Sequence, residues 1–293
     1  MELGYILCPL CGTDHREPLF SYGGERRVRC PQCGLIYVNP RRSRAAIETF
    51  YEEDYYSQER TQAAFAARLG FFEEAARRIE RMAGGGRLLD VGCGYGHFLQ
   101  ACQRRGWQVK GVELSGAAGD RARAAGLEVF RGSLAQAGYP AERFDVVTLW
   151  NVLDHLAEPL AEAREIMRVL RPGGLLFGRS PNAAFHLRAN QAIRLLNRLG
   201  LQVRDVTVFH LISFSPATAR RFLARAGFAD IRVVNSPMSR IDPWAWPRDY
   251  RSWLTGRLKQ GLRLGVSAMA LASAGRWLVA PSLEFHARKP QGS

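Results

Sequence analysis

The sequence predicts an α/β fold: a doubly wound, mostly parallel seven-stranded sheet with a small metal-binding ribbon at its N-terminal side. Two observations indicate the sheet. Strand-like and helix-like segments alternate through residues 60–180, and a glycine-rich turn joins one of the strands to the following helix. The third observation is a closely spaced cysteine pair that occurs twice before residue 40. A chain of 293 residues is long enough for one such domain with small additions at each end.

The glycine turn lies in the stretch LLDVGCGYGHFL, residues 88–99. Two leucines predict a short buried strand, and Gly92, Gly94 and Gly96 then let the backbone turn sharply and pass close to a ligand. A helix is predicted to open over residues 95–100, with its free N–H groups pointing back at the turn. This pattern predicts a nucleotide-like ligand over a helix N-terminus.

Two acidic residues narrow the choice of ligand. Asp90 precedes the glycines and places a carboxylate beside a ligand that could be cationic. Glu113 follows a second predicted strand, 108–112, where a carboxylate can accept hydrogen bonds from two ribose hydroxyls. The third glycine also comes one residue earlier than in a dinucleotide fingerprint. An adenosyl group with a positively charged tail fits these features better than a pyrophosphate.

These residues resemble the class I S-adenosylmethionine-dependent methyltransferases, over roughly residues 60–236. The resemblance implies the Rossmann-like methyltransferase fold and S-adenosylmethionine as cofactor, and the LRPGG turn at residues 170–174 adds to it. The residues assigned to the cofactor are Asp90, Gly92, Cys93, Gly94, Gly96, Glu113, Leu114, Ser133, Leu134, Trp150 and Asn151. Ser133 stands where members of the class often carry an acid for the adenine amine, and Cys93 is interpreted as a small packing residue within the turn.

Two Cys-Pro-x-Cys-Gly knuckles supply four candidate ligands for zinc. The ligands are Cys8, Cys11, Cys30 and Cys33. Each knuckle can place two thiolates on one side of a tight bend, and four thiolates complete a tetrahedral site with no open position, so the zinc is expected to be structural. A short hairpin turning at Gly23-Gly24 is predicted between the knuckles, as in a zinc ribbon. The ribbon could bind nucleic acid, bind a partner or form one wall of the substrate pocket.

The candidates for catalysis follow the fourth strand of the predicted sheet, Phe144 to Trp150. His155 lies where it can take a proton from an acceptor hydroxyl, although it could instead only brace the following helix. The segment resembles the Glu-x-x-Glu-His of ubiquinone-type O-methyltransferases, whose acids and histidine can hold a divalent cation; here Asn151 and Asp154 replace the glutamates. Asp154 and His210 are the other catalytic candidates; His210 is the second candidate base or acceptor contact, and a structural role is favoured over it.

Domain boundaries follow from these motifs. The predicted units are a zinc ribbon (1–40), a helical connector (41–86), the S-adenosylmethionine-binding domain (87–236 and 282–289) with a lid insert (183–208), and a Trp- and Arg-rich helical insertion (237–281). Helices are expected to begin after Ser43 and Ser215. Tryptophans and basic residues flank an apolar run in the insertion, so segment 244–277 could lie at a membrane interface. The favoured alternative is a helix packed on the core or on a second copy in a homodimer.

Composition and charge leave several partners open. The formal net charge is +14 and the pI is about 10.1, which permits attraction to nucleic acid, to an anionic membrane surface or to a phosphorylated substrate. A solvated arginine-rich surface explains the same numbers. The N-terminus shows no secretory signal, so a cytoplasmic location is expected, with peripheral contact at the inner face of the membrane as an extension of it.

Together these features predict a methyltransferase for a small-molecule or lipid- or sugar-linked acceptor, with oxygen favoured as the methylated atom. The first alternative is an RNA methyltransferase in which the ribbon and the basic surface grip the nucleic acid. The second is a catalytically silent adaptor that still binds S-adenosylmethionine. The intact glycines, Asp90 and Glu113 argue against the silent adaptor.

Overall fold

The computed structural model describes residues 3–50, 68–202, 207–237 and 277–292, with a few positions between 261 and 273. Most of the Trp- and Arg-rich insertion, including nearly all of the membrane-contact segment 244–277, lies outside the described residues, as does the middle of the connector. Among the helices of the described ranges, none has the length and apolar character that a membrane crossing requires.

Strands and helices alternate through most of the chain. The strands are β1 (Leu3–Gly4), β2 (Glu17–Tyr22), β3 (Glu25–Arg29), β4 (Ile36–Val38), β5 (Arg41–Arg42), β6 (Arg87–Val91), β7 (Gln108–Glu113), β8 (Val129–Arg131), β9 (Phe144–Trp150), β10 (Leu170–Pro181), β11 (Ile212–Ser213), β12 (Ala229–Asn235) and β13 (Ser282–Arg288). The helices are α1 (Arg44–Thr49), α2 (Leu69–Ala83), α3 (His97–Gln103), α4 (Gly116–Ala124), α5 (Pro159–Val169), α6 (Ala183–Arg198) and α7 (Pro216–Arg225).

The central sheet has seven strands in the order β12-β13-β10-β9-β6-β7-β8. The pairs within β10-β9-β6-β7-β8 are parallel, whereas β13 is antiparallel to both β10 and β12. The chain runs outward from β6 to β8 on one side, then returns to β9 and builds the other side. The order therefore reverses between β6 and β9, where open α/β sheets bind their ligands. The predicted doubly wound, mostly parallel sheet is confirmed.

Helices cover both faces of this sheet because side chains alternate along each buried strand. Leu88 and Val146 belong to a buried cluster with Phe72 of α2. Their neighbours Leu89 and Val147 belong to a second cluster that includes residues of α5 and α7. Apolar side chains thus leave β6 and β9 in both directions, which is the reason their sequences are almost continuously apolar.

The N-terminal ribbon forms a four-stranded sheet in the order β11-β4-β3-β2. Its hairpin turns at Gly23 and Gly24, whose φ angles of 59° and 79° suit a turn that needs two left-handed residues. The turn position agrees with the sequence prediction. The fourth strand, β11, comes from residues 212–213, so the larger domain completes the ribbon's sheet.

Some element boundaries differ from the sequence prediction. The predicted LRPGG turn, residues 170–174, lies within strand β10, because Leu170 already pairs with Phe144 and a register shift before Leu175 absorbs the turn. Helix α3 starts at His97, two residues later than predicted, because Gly96 is left-handed with a φ of 76°. Helices α1 and α7 begin after Ser43 and Ser215, as predicted, because each serine hydroxyl accepts a hydrogen bond from the backbone N–H three residues later.

Candidate functional site

A cavity of about 580 Å³ opens at the carboxyl ends of β6, β7, β9 and β10. Of the predicted cofactor residues, those that line it are Gly92, Glu113, Leu114, Ser133, Leu134, Trp150 and Asn151. Of the predicted catalytic residues, His155 and His210 line it. The other predicted residues are not among those that line it: Asp90, Cys93, Gly94, Gly96 and Asp154. The cavity therefore joins the predicted cofactor side to the predicted acceptor side.

The three glycines of the turn have different tasks. Gly92 faces the cavity with a φ of 70°, and a Cβ there would lie 2.5 Å from Cγ2 of Val152. The N–H of Gly94 donates to the Glu113 carboxylate at 2.7 Å. At Gly96 a Cβ would overlap the side chain of Leu127, so this glycine lets α3 approach its neighbours. Only the first of the three lines the cavity.

Glu113 ends β7 and is only 4% exposed. One carboxylate oxygen accepts the Gly94 N–H at 2.7 Å, and the other accepts the N–H of Ser115 at 2.9 Å. Two charge-assisted hydrogen bonds fix the carboxylate at the cavity wall. It is thereby oriented where the sequence analysis expects the ribose hydroxyls.

Asp90 lies beneath the turn and is 1% exposed. Its carboxyl group accepts a hydrogen bond from the Thr148 hydroxyl at 2.6 Å. Burial raises the pKa of Asp90 to about 8, with a smaller contribution from the nearby Glu113 charge. Asp90 is therefore mainly protonated at neutral pH and braces β6 against β9. Its direct contact with a cationic ligand stays a prediction.

The remaining cofactor candidates form an apolar wall with few open polar groups. Ser133 is engaged with Gln136, whose side-chain oxygen accepts both the backbone N–H and the hydroxyl of Ser133. Trp150 is 9% exposed and packs against Phe98 at a ring distance of 4.9 Å. Cys93 is buried, and burial raises its pKa, which agrees with its interpretation as a packing residue.

Asp154, His155 and His210 meet on the acceptor side. Asp154 and His155 belong to a short 3₁₀ turn just after β9, whereas His210 comes from the segment before β11. The Nε2 atoms of His155 and His210 lie 3.5 Å and 3.6 Å from Oδ2 of Asp154. The two imidazole rings are 4.0 Å apart. The three predicted catalytic residues thus form one cluster.

Burial controls the charge of this cluster. It lowers the pKa of His155 to about 4 and that of His210 to about 3, so both imidazoles are neutral at pH 7. Burial also raises the pKa of Asp154. Oδ1 of Asp154 accepts a hydrogen bond from Ser180 at 3.3 Å, while Oδ2 is buried and has no hydrogen-bond partner within the described ranges. The Asp154 carboxyl group therefore lies between two neutral imidazoles, where it can stabilise a positive charge on either ring.

Such a cluster can do either of two kinds of chemistry. A neutral imidazole can accept a proton from a substrate hydroxyl, and the carboxylate then stabilises the imidazolium. Alternatively, the ligand atoms of the three residues lie within 4.8 Å of one another, a spacing that could hold a cation. Asn151 does not join the cluster, because its side-chain oxygen accepts a hydrogen bond from Arg179 at 2.9 Å.

The four knuckle cysteines also come together. Their sulfur atoms lie within 4.8 Å of one another, with 3.5 Å between Cys8 and Cys33 and between Cys11 and Cys30. In each knuckle the glycine N–H donates to the carbonyl of the first cysteine. Burial raises the pKa of Cys8 to about 11, so a nearby cation is needed to hold its thiolate. The donor set fits a structural zinc ion.

Sequence reasoning missed Arg179 and His186, which both line the cavity. Arg179 is 7% exposed at the carboxyl end of β10, and its Nε donates to Ser236 at 3.0 Å. A lone arginine in the apolar stretch LLFGRSP was the available signal. His186 lies on α6, where its Nδ1 accepts the N–H of Val208 at 3.3 Å. Nothing in its local sequence distinguishes it from other polar residues of a helix.

The family comparison decides the identity of the larger domain. A family described as a methyltransferase domain matches residues 65–233, more than half of the chain. The chain belongs to this methyltransferase family. The matched range contains the glycine turn, Glu113 and all three residues of the Asp154–His155–His210 cluster, whereas the cysteine knuckles lie outside it.

Sequence relatives include two proteins named ubiquinone biosynthesis O-methyltransferase. The protein from Stutzerimonas stutzeri is 34% identical over 127 residues, which is 39% of this chain and 55% of the relative. The protein from Xanthomonas oryzae pv. oryzae is 37% identical over 132 residues, which is 39% of this chain and 53% of the relative. This methyltransferase therefore spans about half the length of the curated relatives it matches.

A solved structure supports the fold assignment. A S-adenosylmethionine-dependent methyltransferase from Thermotoga maritima superposes with a TM-score of 0.54 at 17% identity, covering 83% of this chain and 99% of that protein. At this identity the likeness shows the fold alone. Together with the family match it confirms the prediction of a class I S-adenosylmethionine-dependent methyltransferase domain.

Proposed function

We propose that this methyltransferase transfers a methyl group from S-adenosylmethionine to a hydroxyl oxygen of a small-molecule acceptor, including one linked to a lipid or a sugar. The observation that carries the proposal is the pair of neutral imidazoles, His155 and His210, around the Asp154 carboxylate on the acceptor side of the cavity. The relatives named as O-methyltransferases of ubiquinone biosynthesis support both oxygen and a small molecule.

The cofactor half of the proposal uses the turn and the end of β7. When bound, S-adenosylmethionine supplies an electrophilic methyl group on a positively charged sulfur. Gly92 contributes backbone to the cavity wall, and the Glu113 carboxylate accepts hydrogen bonds from the ribose hydroxyls. Leu114 and Leu134 offer apolar surface to the adenine, and Trp150 closes the wall beside it. This arrangement holds the donor at the carboxyl ends of β6 and β9.

The acceptor half uses the cluster as a base. The neutral imidazole of His155 takes the hydroxyl proton as the oxygen attacks the methyl carbon, and the electron pair of the breaking C–S bond remains on sulfur. The imidazolium that forms is stabilised by Asp154 Oδ2, 3.5 Å from the ring. His210 borders the same carboxylate and serves as the second proton acceptor or as a contact to the acceptor. Alignment of the reactants in the closed cavity adds to the rate.

The knuckle cysteines would hold a structural Zn²⁺ in this protein. Four thiolates leave no open coordination position, so the metal would take no part in methyl transfer.

Further proposals rest on the sequence: a cytoplasmic protein, peripheral contact with the inner face of the membrane through residues 244–277, and a homodimer. Nucleic acid as the acceptor is the alternative that the transfer assay below must exclude.

The test is transfer of a tritiated methyl group to separated small-molecule, lipid, sugar-nucleotide and RNA fractions. We expect label in a non-RNA fraction, and His155→Ala should lower the rate roughly 100-fold or more, since removal of a general base typically costs 10²–10⁴. His15→Ala, at an exposed histidine of the ribbon, is the matched control and should leave the rate unchanged.

Because the pKa of His155 is lowered to about 4, activity should stay level from pH 8 to about 5 and fall as pH approaches 4, where the imidazole gains its proton.

Three outcomes would contradict the proposal. Label confined to RNA would make the protein an RNA methyltransferase. Calorimetric binding of S-adenosylmethionine with no transfer to any fraction would support the silent adaptor. Full activity of His155→Ala would remove His155 from the reaction and leave alignment alone as the source of rate.

A further inference from the structure

His210 lies in a segment of chain, residues 207–213, that runs between the ribbon and the cavity. We call it the His210 segment. His210 lies at the middle of it, and Thr207, Val208 and Phe209 line the cavity with it. Since His210 must stay beside Asp154 to act in the reaction, whatever fixes this segment also fixes the acceptor side of the site.

Two ribbon side chains hold the segment just before His210. The Tyr22 hydroxyl donates to the carbonyl of Thr207 at 2.6 Å. The Arg27 guanidinium donates through Nη2 to the carbonyl of Phe209 at 3.2 Å. Both donors come from the ribbon hairpin, Tyr22 at the end of β2 and Arg27 within β3. The backbone carbonyl next to His210 is thus fixed by the ribbon.

The ribbon also holds the segment just after His210. Strand β11 adds to the ribbon sheet by antiparallel pairing with β4, with Ile212 opposite Tyr37. The N–H of Val38 donates to the carbonyl of Leu211 at 2.9 Å. His210 is therefore anchored to the ribbon on both its N-terminal and its C-terminal side.

Packing adds to these hydrogen bonds. The Phe209 ring lies edge-on to Phe20 at 4.8 Å and to Tyr22 at 5.5 Å. Arg27 is 3% exposed and is also ion-paired with Glu25 at 3.1 Å, so its guanidinium is held in one position. A buried arginine fixed in this way is a rigid donor and not a mobile surface group.

The cofactor side is built differently. Glu113 is held by the N–H groups of Gly94 and Ser115, which belong to the central sheet and the turns that follow it. Gly92 is hydrogen-bonded to Val112 of the same sheet. A change in the ribbon should therefore reach the acceptor side without disturbing the cofactor side.

We propose that Tyr22 and Arg27 are positioning residues that hold His210 in the acceptor site, which makes the zinc ribbon a working part of that half of the enzyme. The proposal rests on the function proposed above only in giving His210 a role in the reaction. The positioning itself is a statement about geometry and can be tested without a substrate.

The test uses Tyr22→Phe and Arg27→Met in the full-length, zinc-loaded protein. ¹⁵N-histidine-labelled NMR spectra of the variants are compared with that of the parent protein, and His210→Gln serves to assign the His210 signals. Each variant removes one donor to the segment while keeping most of the side-chain volume. We expect the His210 ring signals to move and its pKa to rise towards the ordinary value of about 6.5 as water enters. The dissociation constant for S-adenosylmethionine, measured by calorimetry, should stay within about twofold.

Tyr5→Phe and Arg26→Met are the matched controls, because both residues are exposed on the same ribbon. Their His210 signals should coincide with those of the parent protein. Unchanged His210 signals in both test variants would overturn the positioning role. Loss of S-adenosylmethionine binding together with the change in the His210 signals would also overturn it, since that would indicate general unfolding. Failure of His155→Ala to affect transfer would overturn the proposed function but leave the NMR result standing.

Discussion

Single residues at this site owe their chemical state to burial. His155 and His210 lose water and become neutral at pH 7, and Asp90 gains a proton for the same reason. Glu113 is equally buried, yet two backbone N–H groups satisfy its carboxylate oxygens. Asp90 is therefore a protonated residue that braces two strands. Glu113 is a carboxylate held by two charge-assisted hydrogen bonds, which makes it a candidate for binding a ligand.

Glu113→Ala should weaken S-adenosylmethionine binding roughly tenfold or more. Hydrogen bonds to a charged group contribute about 1.5–3 kcal/mol, and the substitution also releases the N–H groups of Gly94 and Ser115. Calorimetry on the purified protein measures the change. Glu128→Ala is the control, since the Glu128 side chain is 66% exposed and should not affect affinity. Equal affinity of the two variants would remove Glu113 from the cofactor site.

At the scale of elements, the strand–turn–helix around Gly92 sets the entry to the cavity. The turn is tight because Val152, just after β9, fills the space above Gly92. Asp154 and His155 lie in the loop that follows strand β9, at the same edge of the sheet as the glycine turn. Two loops that follow neighbouring parallel strands therefore supply both halves of the site.

Gly92→Ala should abolish measurable cofactor binding at concentrations that saturate the parent protein. Its Cβ would lie 2.5 Å from Val152, and alanine is strained at a φ of 70°. Gly126→Ala is the matched control: its φ is 81°, but no atom lies within 4 Å of the added Cβ. We expect Gly126→Ala to cost about 1 kcal/mol of stability and to keep full binding. If both variants bind equally well, the tight packing of Val152 on Gly92 has no role in the cofactor site.

At the scale of the whole molecule, the ribbon and the methyltransferase domain share one core. Cys8, Cys30 and Cys33 belong to the same buried cluster as Phe214 and Phe222. Arg221 of α7 also donates to the carbonyl of Cys33 at 2.8 Å. The cysteine knuckles are therefore bound into the core of the larger domain, and loss of a metal held by them should affect the whole molecule.

Removal of zinc by a chelator should lower the melting temperature by roughly 5 °C or more, in a single transition. Without the cation no metal–sulfur bonds hold the four cysteines together, and the pairing of β4 with β11 is weakened. Differential scanning calorimetry follows the change, and added zinc should restore the original temperature. A separate early transition for the ribbon would contradict the shared core. Equal stability of the metal-free protein would contradict a structural zinc site.

The fold was predictable from the sequence because its signals are local. The positive φ angle at position 92 requires glycine, and the hairpin turn requires Gly23 and Gly24 for the same reason. The apolar run Phe144–Trp150 is required because this strand is buried on both faces. The paired cysteines likewise carry their geometry in their own spacing. Each of these requirements is met within a few residues of chain, so a single sequence displays it.

The site depended on contacts between distant segments, which no local pattern encodes. The sequence by itself determined a class I methyltransferase sheet, its glycine turn and a pair of cysteine knuckles. Only the tertiary structure decided that His210 meets Asp154 and His155, that Arg179 reaches the cavity, and that the ribbon sheet continues into β11. Local backbone angles and hydrophobic period fix the elements, whereas packing of the complete chain fixes which side chains face one another.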